Sequence, residues 1–160
     1  MDLIMFDEEY RKIQAVIDQL HADARSKVVF LVDKNGQHIA GSGEVEAIDA
    51  TSLASLTAGN VAATDGLAKL IGEKEFSILF HEGKRDHIHI SIVANRLILV
   101  VIFDDRSSLG LVRLRVKKTS GELEDIFKEI MEKASRSQKS EEIESAFAEI
   151  TDEVIDNLFG

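Results

Sequence analysis

The chain has 160 residues, is 44% hydrophobic, carries a formal net charge of −10 and contains no cysteine. That length and apolar content suit one domain with a real core. The missing cysteines exclude a disulfide framework and thiol chemistry, and the negative charge argues against nucleic acid or an anionic membrane as partner.

The charge is unevenly placed. Residues 141–160 hold seven acids and no Lys or Arg, so they carry −7 and the rest of the chain only −3. The N-terminal stretch Met1–Met5 lacks the basic and long apolar regions of a signal peptide. The longest strongly apolar run, Leu97 to Phe103, is too short to span a bilayer. A cytoplasmic protein is the expectation.

Phe6, Tyr10, Ile13, Ile17, Leu20 and Ala24 recur by threes and fours, the spacing of an amphipathic helix. Asp7 is its expected N-cap, with Glu8 and Glu9 at the positive end of the helix dipole. Lys27–Asp33 reads as a buried strand. Asn35-Gly36 suits a type I′ hairpin, because both residues tolerate positive φ. The return strand, Gln37 to Ala40, is short and dissolves into Gly41-Ser42-Gly43.

The stretch from Thr51 to Gly72 is unusual. Leu53, Leu56, Ala63, Leu67 and Leu70 recur at helical spacing, so that stripe is expected to face the core. Gly, Ala, Ser or Thr fill 13 of the 22 positions, where a solvated helix would carry Lys and Glu. Gly59 and Gly66 each cost about 1 kcal/mol relative to Ala in a helix interior. Two readings fit: a helix buried all round in a tight core, or a helix packed on one side and flat on the other, where a partner docks. Asp49 or Thr51 is the expected cap.

Phe76–His81 is the next expected strand. In His87–Val93 the alternation puts Ile88, Ile90 and Ile92 inward and His87, His89 and Ser91 outward. Leu97–Phe103 is apolar on both faces, as a central strand covered on both sides would be. Within Ser107–Ala134, Val112–Val116 alternates like a strand. Helical spacing holds over the longer run Leu109, Val112, Val116, Leu123, Ile126, Phe127 and Ile130, so one long helix is expected, capped by Ser107 or Ser108. The order α-β-β-α-β-β-β-α gives an α/β (α+β sandwich) fold, with a five-stranded, mostly antiparallel sheet and helices on both faces.

The polar segment Ser135–Ser140 reads as a flexible linker. Beyond it Phe147, Ile150, Val154, Ile155, Leu158 and Phe159 share one side of a helical wheel and Glu149, Asp152, Glu153 and Asp156 the other. Thr151 could also start a shorter helix, from Asp152 to Phe159. The chain therefore divides into a domain over 1–134 and a linker with an acidic amphipathic tail over 135–160. The tail is expected to be disordered alone and to fold onto a groove; packing on its own domain, or simple solubilisation, is the alternative.

The blocks Val29–Gly36, Thr51–Ala63 and Ser107–Arg115, in this element order, resemble the Roadblock/dynein light chain family from about Tyr10 to about Lys133. Within that family the sequence is most similar to bacterial members that act on a small Ras-like GTPase of the MglA type. The resemblance implies a homodimer whose sheets join edge to edge, with the small-residue helices side by side across the two-fold axis. It implies stimulation of GTP hydrolysis, a role in cell polarity or gliding motility, and no cofactor. It also places Ala62 and Gly66 on the GTPase-facing surface. Ser55, Gly59 and Lys69 share that face by spacing, and the tail residues form a second contact. The alternative from the same family is a scaffold that gathers partners and leaves GTP turnover unchanged.

Chemistry in the chain itself is weakly signalled. His87 and His89, with His81 on the preceding strand, could be zinc ligands, although no acid pattern completes a site. Asp104-Asp105 could bind Mg²⁺ or act as a cap. Arg106, Arg113 and Arg115 raise the question of an arginine finger. The family resemblance favours the view that such activators reposition the GTPase's own residues. No catalytic residue and no metal ligand is named.

Overall fold

The computed structural model describes the backbone of residues 7–159 and the side chains of residues 7–138. In chain order it has α1 (Asp7–Asp23), β1 (Val28–Asp33), β2 (His38–Gly43), a short 3-10 turn (Val45–Ala47), α2 (Ala50–Leu70), β3 (Ile78–Glu82), β4 (His87–Val93), β5 (Leu97–Phe103) and α3 (Leu109–Phe159). The strands form one sheet in the order β2-β1-β5-β4-β3, and all four pairings are antiparallel.

Every residue of β1 and β5 is buried, because helices cover both faces of these central strands. Period-two alternation then sorts their side chains. Val29, Leu31, Leu99, Val101 and Phe103 meet α1 and α3, and Val28, Phe30, Val32, Val100 and Ile102 meet α2. From α1 come Ile13, Ile17 and Leu20; from α3 come Val112, Val116, Leu123, Ile126 and Ile130. Tyr10, expected on the α1 core stripe, is 43% exposed, while Glu9 is fully buried. Glu9 is held by the Lys133 ammonium, which keeps its carboxyl below the usual carboxylate range. With Lys12–Glu129 at 3.0 Å, this contact ties α1 to α3.

Four local expectations are corrected. Asp7 is the first residue of α1, placed in its first turn with Glu8 and Glu9. The β1–β2 turn is not type I′, since Gly36 has φ +87° while Asn35 keeps negative φ. Gly36 N–H donates to the Asp33 carbonyl and Asn35 N–H to the Asp33 carboxylate, and the register slips between Leu31 and Val32. These are the marks of a three-residue hairpin with glycine in the left-handed position. The double left-handed turn falls instead at Ala94-Asn95, with φ +54° and +58°, between β4 and β5. Third, β2 runs on through Gly41-Ser42-Gly43, paired to Phe30, Val29 and Val28.

The fourth concerns the C-terminal segment. Ser108 caps α3, its hydroxyl accepting from Leu111 N–H at 3.2 Å. The helix over Val112–Val116 carries the longer pattern, as expected. It then continues without a break through Ser135–Ser140, where a flexible linker was predicted, and on to Phe159. The side chains of Phe147, Ile150, Val154, Ile155, Leu158 and Phe159 lie outside the described residues. Among the described residues no helix is long and apolar enough to cross a membrane.

Candidate functional site on the second helix

Asp49 fixes the start of α2. Its carboxylate accepts from Thr51 N–H at 3.1 Å, Ser52 N–H at 3.3 Å and the Ser52 hydroxyl at 2.8 Å. Those bonds, the Ser52 hydroxyl first, lower the Asp49 pKa.

The side of α2 that meets the sheet is not the leucine stripe. Ala54, Thr57, Val61 and Ala68 are buried, and Leu53 is half-buried. Leu56 is 75% exposed, Leu67 59% and Leu70 83%; Ala63 is exposed too. The periodicity was real, but the helix is rotated so that small residues approach the sheet and the large apolar ones face outward. At 100° per residue the surface carries two adjacent stripes. One is Leu56, Ala63, Leu67 and Leu70. The other is Ser55, Gly59, Ala62, Gly66 and Lys69, all five exposed. A Cβ added at Gly59 or Gly66 would meet nothing within 4 Å. Neither glycine is needed by the packing of this chain.

Two contacts border this face. The backbone at Gly36 lies close under the helix, with the Ser55 Cα 3.6 Å from where its Cβ would be. At mid-helix Asn60 Nδ2 lies 3.1 Å from His81 Nε2 on the edge strand β3. Ile78 on that edge is 51% exposed, and Ile71 just past the helix is 69% exposed.

The candidate chemical groups are scattered. His89 is fully buried and Ser91 nearly so, correcting the outward placement: α3 covers the β4 face on which they lie. His81 pairs with Ile88 and so belongs to the opposite, α2-facing side of the sheet. The three histidines therefore share no site. Desolvation, and then the positive Arg113, lower the His89 pKa. Among the described residues no group of three or more His, Asp or Glu is placed to hold a metal ion. Asp104 is forked by Arg106, at 2.9 Å from both Nε and Nη2, which lowers its pKa to about 2. Arg106 is thus committed locally. Arg113 and Arg115 stand on α3, across the sheet from α2. An open polar recess of about 350 Å³ near the β3–β4 turn is lined by Lys27, Lys84, Arg85, Asp86, His87, Asp104 and Asp105. The 3.1 Å Lys27–Asp86 pair occupies it, and no nucleophile–base pair is formed.

What the molecule presents is an exposed, largely apolar helix face beside a sheet edge. The Roadblock/LC7 domain model matches residues 12–103, more than half of the chain, and the protein belongs to that family. Among solved structures, Myxococcus xanthus MglB is 62% identical, with a TM-score of 0.76 over 80% of this chain and 96% of that one. Gliding protein MglB from Thermus thermophilus is 30% identical, with a TM-score of 0.74 over 80% and 97%. A structure described as MglB with tetrameric arrangement is 29% identical, with a TM-score of 0.75 over 81% and 97%. No curated protein sequence matches.

Proposed function

We propose that this protein is a homodimeric regulator that binds a small Ras-like GTPase of the MglA type and stimulates its GTP hydrolysis. The observation that carries this reading is the inverted amphipathicity of α2. Large apolar side chains and two unobstructed glycines face outward, where the single chain gains nothing from them. The apolar stripe of Leu56, Ala63, Leu67 and Leu70 suits a second copy. The small-residue stripe of Ser55, Gly59, Ala62, Gly66 and Lys69 suits the GTPase. The tetrameric description of one relative supports self-association. Stimulation proceeds by ordering the GTPase's own catalytic residues: Arg106 is held by Asp104, and Arg113 and Arg115 stand on the other side of the sheet. In this reading residues 1–134 form the domain and 135–160 an additional GTPase contact. The similarity to gliding proteins supports a role in cell polarity or motility.

The test is single-turnover hydrolysis by the cognate GTPase with the natural chain and with Ala62→Arg or Gly66→Arg. Both variants should stay folded, because the new side chain can reach water, and both should lose the stimulation. Sedimentation should give about twice the 17.7 kDa chain mass; a strict monomer overturns the geometry. Binding without faster hydrolysis would favour the scaffold reading.

A further inference from the structure

A second surface lies on the first part of α3, across the sheet from α2. Residues 113–118 contain Arg113, Arg115, Lys117 and Lys118 and no acid, in a chain of net charge −10. None of the four forms an ion pair among the described residues, whereas Lys12 and Lys133 in the same helical layer are both paired. Arg113, Lys117 and Lys118 are exposed. Leu114, between them, is 63% exposed. Asp23 and Glu122 line a recess beside Arg115 and Lys118 without pairing to them, so the four cations still repel one another, and a large exposed leucine among them gains nothing from folding. Both features are relieved by a partner that is acidic and apolar together. Gly110 and Gly121 flank the patch with open space where a Cβ would be, so another helix can come close.

The sequence contains a segment of that description. Residues 141–160 hold seven acids and no Lys or Arg. On a helical wheel Phe147, Ile150, Val154 and Leu158 make one stripe, flanked by Glu144 on one side and Glu153 on the other. The segment cannot reach the patch of its own chain. α3 is one helix from Leu109 to Phe159, and at 1.5 Å per residue Glu141 stands about 35 Å beyond Lys118 along its axis. The geometry points to a second copy: we infer that the acidic tail of one copy docks on the Arg113–Lys118 face of another, covering Leu114. This inference does not rest on the GTPase reading. It says where the tail goes when no other partner is present.

The test is fluorescence anisotropy of a labelled peptide of residues 141–160 titrated with the full chain, without any GTPase. Saturable binding is expected, and raising salt should weaken it, since the charges are exposed. The variant R113E/K117E/K118E should bind about tenfold more weakly or worse, a loss of about 1.4 kcal/mol. A peptide with Glu144→Lys and Glu153→Lys, the two acids flanking the stripe, should bind that variant better than it binds the natural chain. Leu114→Ser leaves the charges in place and should also weaken binding, which decides the matter if the triple variant fails to fold. Absent binding, or binding indifferent to Leu114→Ser and to the charge swap, overturns the inference. So does binding lost with Ala62→Arg but kept with the α3 variants, which would put the tail on α2.

Discussion

The two faces of the sheet are covered by different kinds of helix. On one face α1 and α3 bury Ile13, Ile17, Leu20, Leu123 and Ile130 to 2% exposure or less, and ion pairs such as Lys12–Glu129 clamp the pair. On the other face α2 buries Ala54, Thr57, Val61 and Ala68 and turns Leu56, Leu67 and Leu70 to solvent. The first is ordinary core-making, where large side chains go where water is not. The second keeps the sheet dry with small residues and spends the large ones outside. Large exposed apolar patches often mark interaction sites, so the contrast is what the proposed docking role of α2 rests on.

The contrast can be broken most directly by truncating one residue from each layer. Ile17→Ala should cost about 3 kcal/mol of unfolding free energy in urea titration, the usual loss for a fully buried aliphatic side chain. Leu67→Ala should change the unfolding of dilute protein by less than about 0.5 kcal/mol and should shift self-association in sedimentation. If the two variants cost the same in dilute solution, α2 is a core helix.

Glycines sharpen the same distinction. At Gly43 the backbone has φ +91°, and a Cβ would lie 2.5 Å from the Lys27 carbonyl oxygen and 2.6 Å from a His21 ring carbon. Gly43→Ala should therefore destabilise by about 2 kcal/mol. Gly66→Ala has room and should stabilise the helix by about 1 kcal/mol, while weakening partner docking. Melting curves of the two variants should move in opposite directions.

A smaller effect sits inside the α3 layer. Both ring nitrogens of His89 are buried without hydrogen-bond partners among the described residues. His89→Leu should stabilise by about 1 kcal/mol at neutral pH. Burial depresses the folded pKa of His89 below the ordinary 6.5, so the unfolded chain binds a proton that the folded one refuses. Its contribution to stability is therefore intact above that value and is lost as pH falls below it. The advantage of His89→Leu should grow between pH 7 and pH 5; an advantage that stays flat would show that His89 is not the titrating group. Asp49→Ala removes the α2 cap and should cost about 1 kcal/mol or less, seen as earlier loss of helix signal on heating.

Much of this architecture was legible in the sequence. The element order, the central apolar strand Leu97–Phe103 and the long pattern through Val112, Val116, Leu123 and Ile130 all read correctly, because burial and periodicity act locally. The orientation of α2 did not. A leucine stripe looks the same whether it faces a core or a partner, and only the small residues hinted at the reversal. His89 and Ser91 were misplaced for the converse reason: alternation says which residues share a face, not whether a helix covers it. The β1–β2 turn was misread because Asn-Gly permits two hairpin geometries, and the register slip selected the second. The proposed docking positions Ser55, Gly59, Ala62, Gly66 and Lys69 rest on small size, spacing and the family resemblance; the structure shows that all five are exposed. The α3 patch is not legible in the sequence, since Arg and Lys on a helix read as an ordinary solvated face until the lack of ion pairs is seen.

The thin attachment of α2 has a consequence in time. Local opening is easiest where few large apolar contacts must be broken, and this helix is held to the sheet by alanine, threonine and valine with one half-buried leucine, Leu53. Its amide protons should exchange with solvent well before those of β1 and β5, while the Asp49 cap and the Asn60–His81 bond tether it at its start and its middle. A helix that loosens quickly on a slow scaffold can settle against whatever approaches it. A partner that clamps it would be felt as slowed exchange along α2, with the central strands keeping their pace.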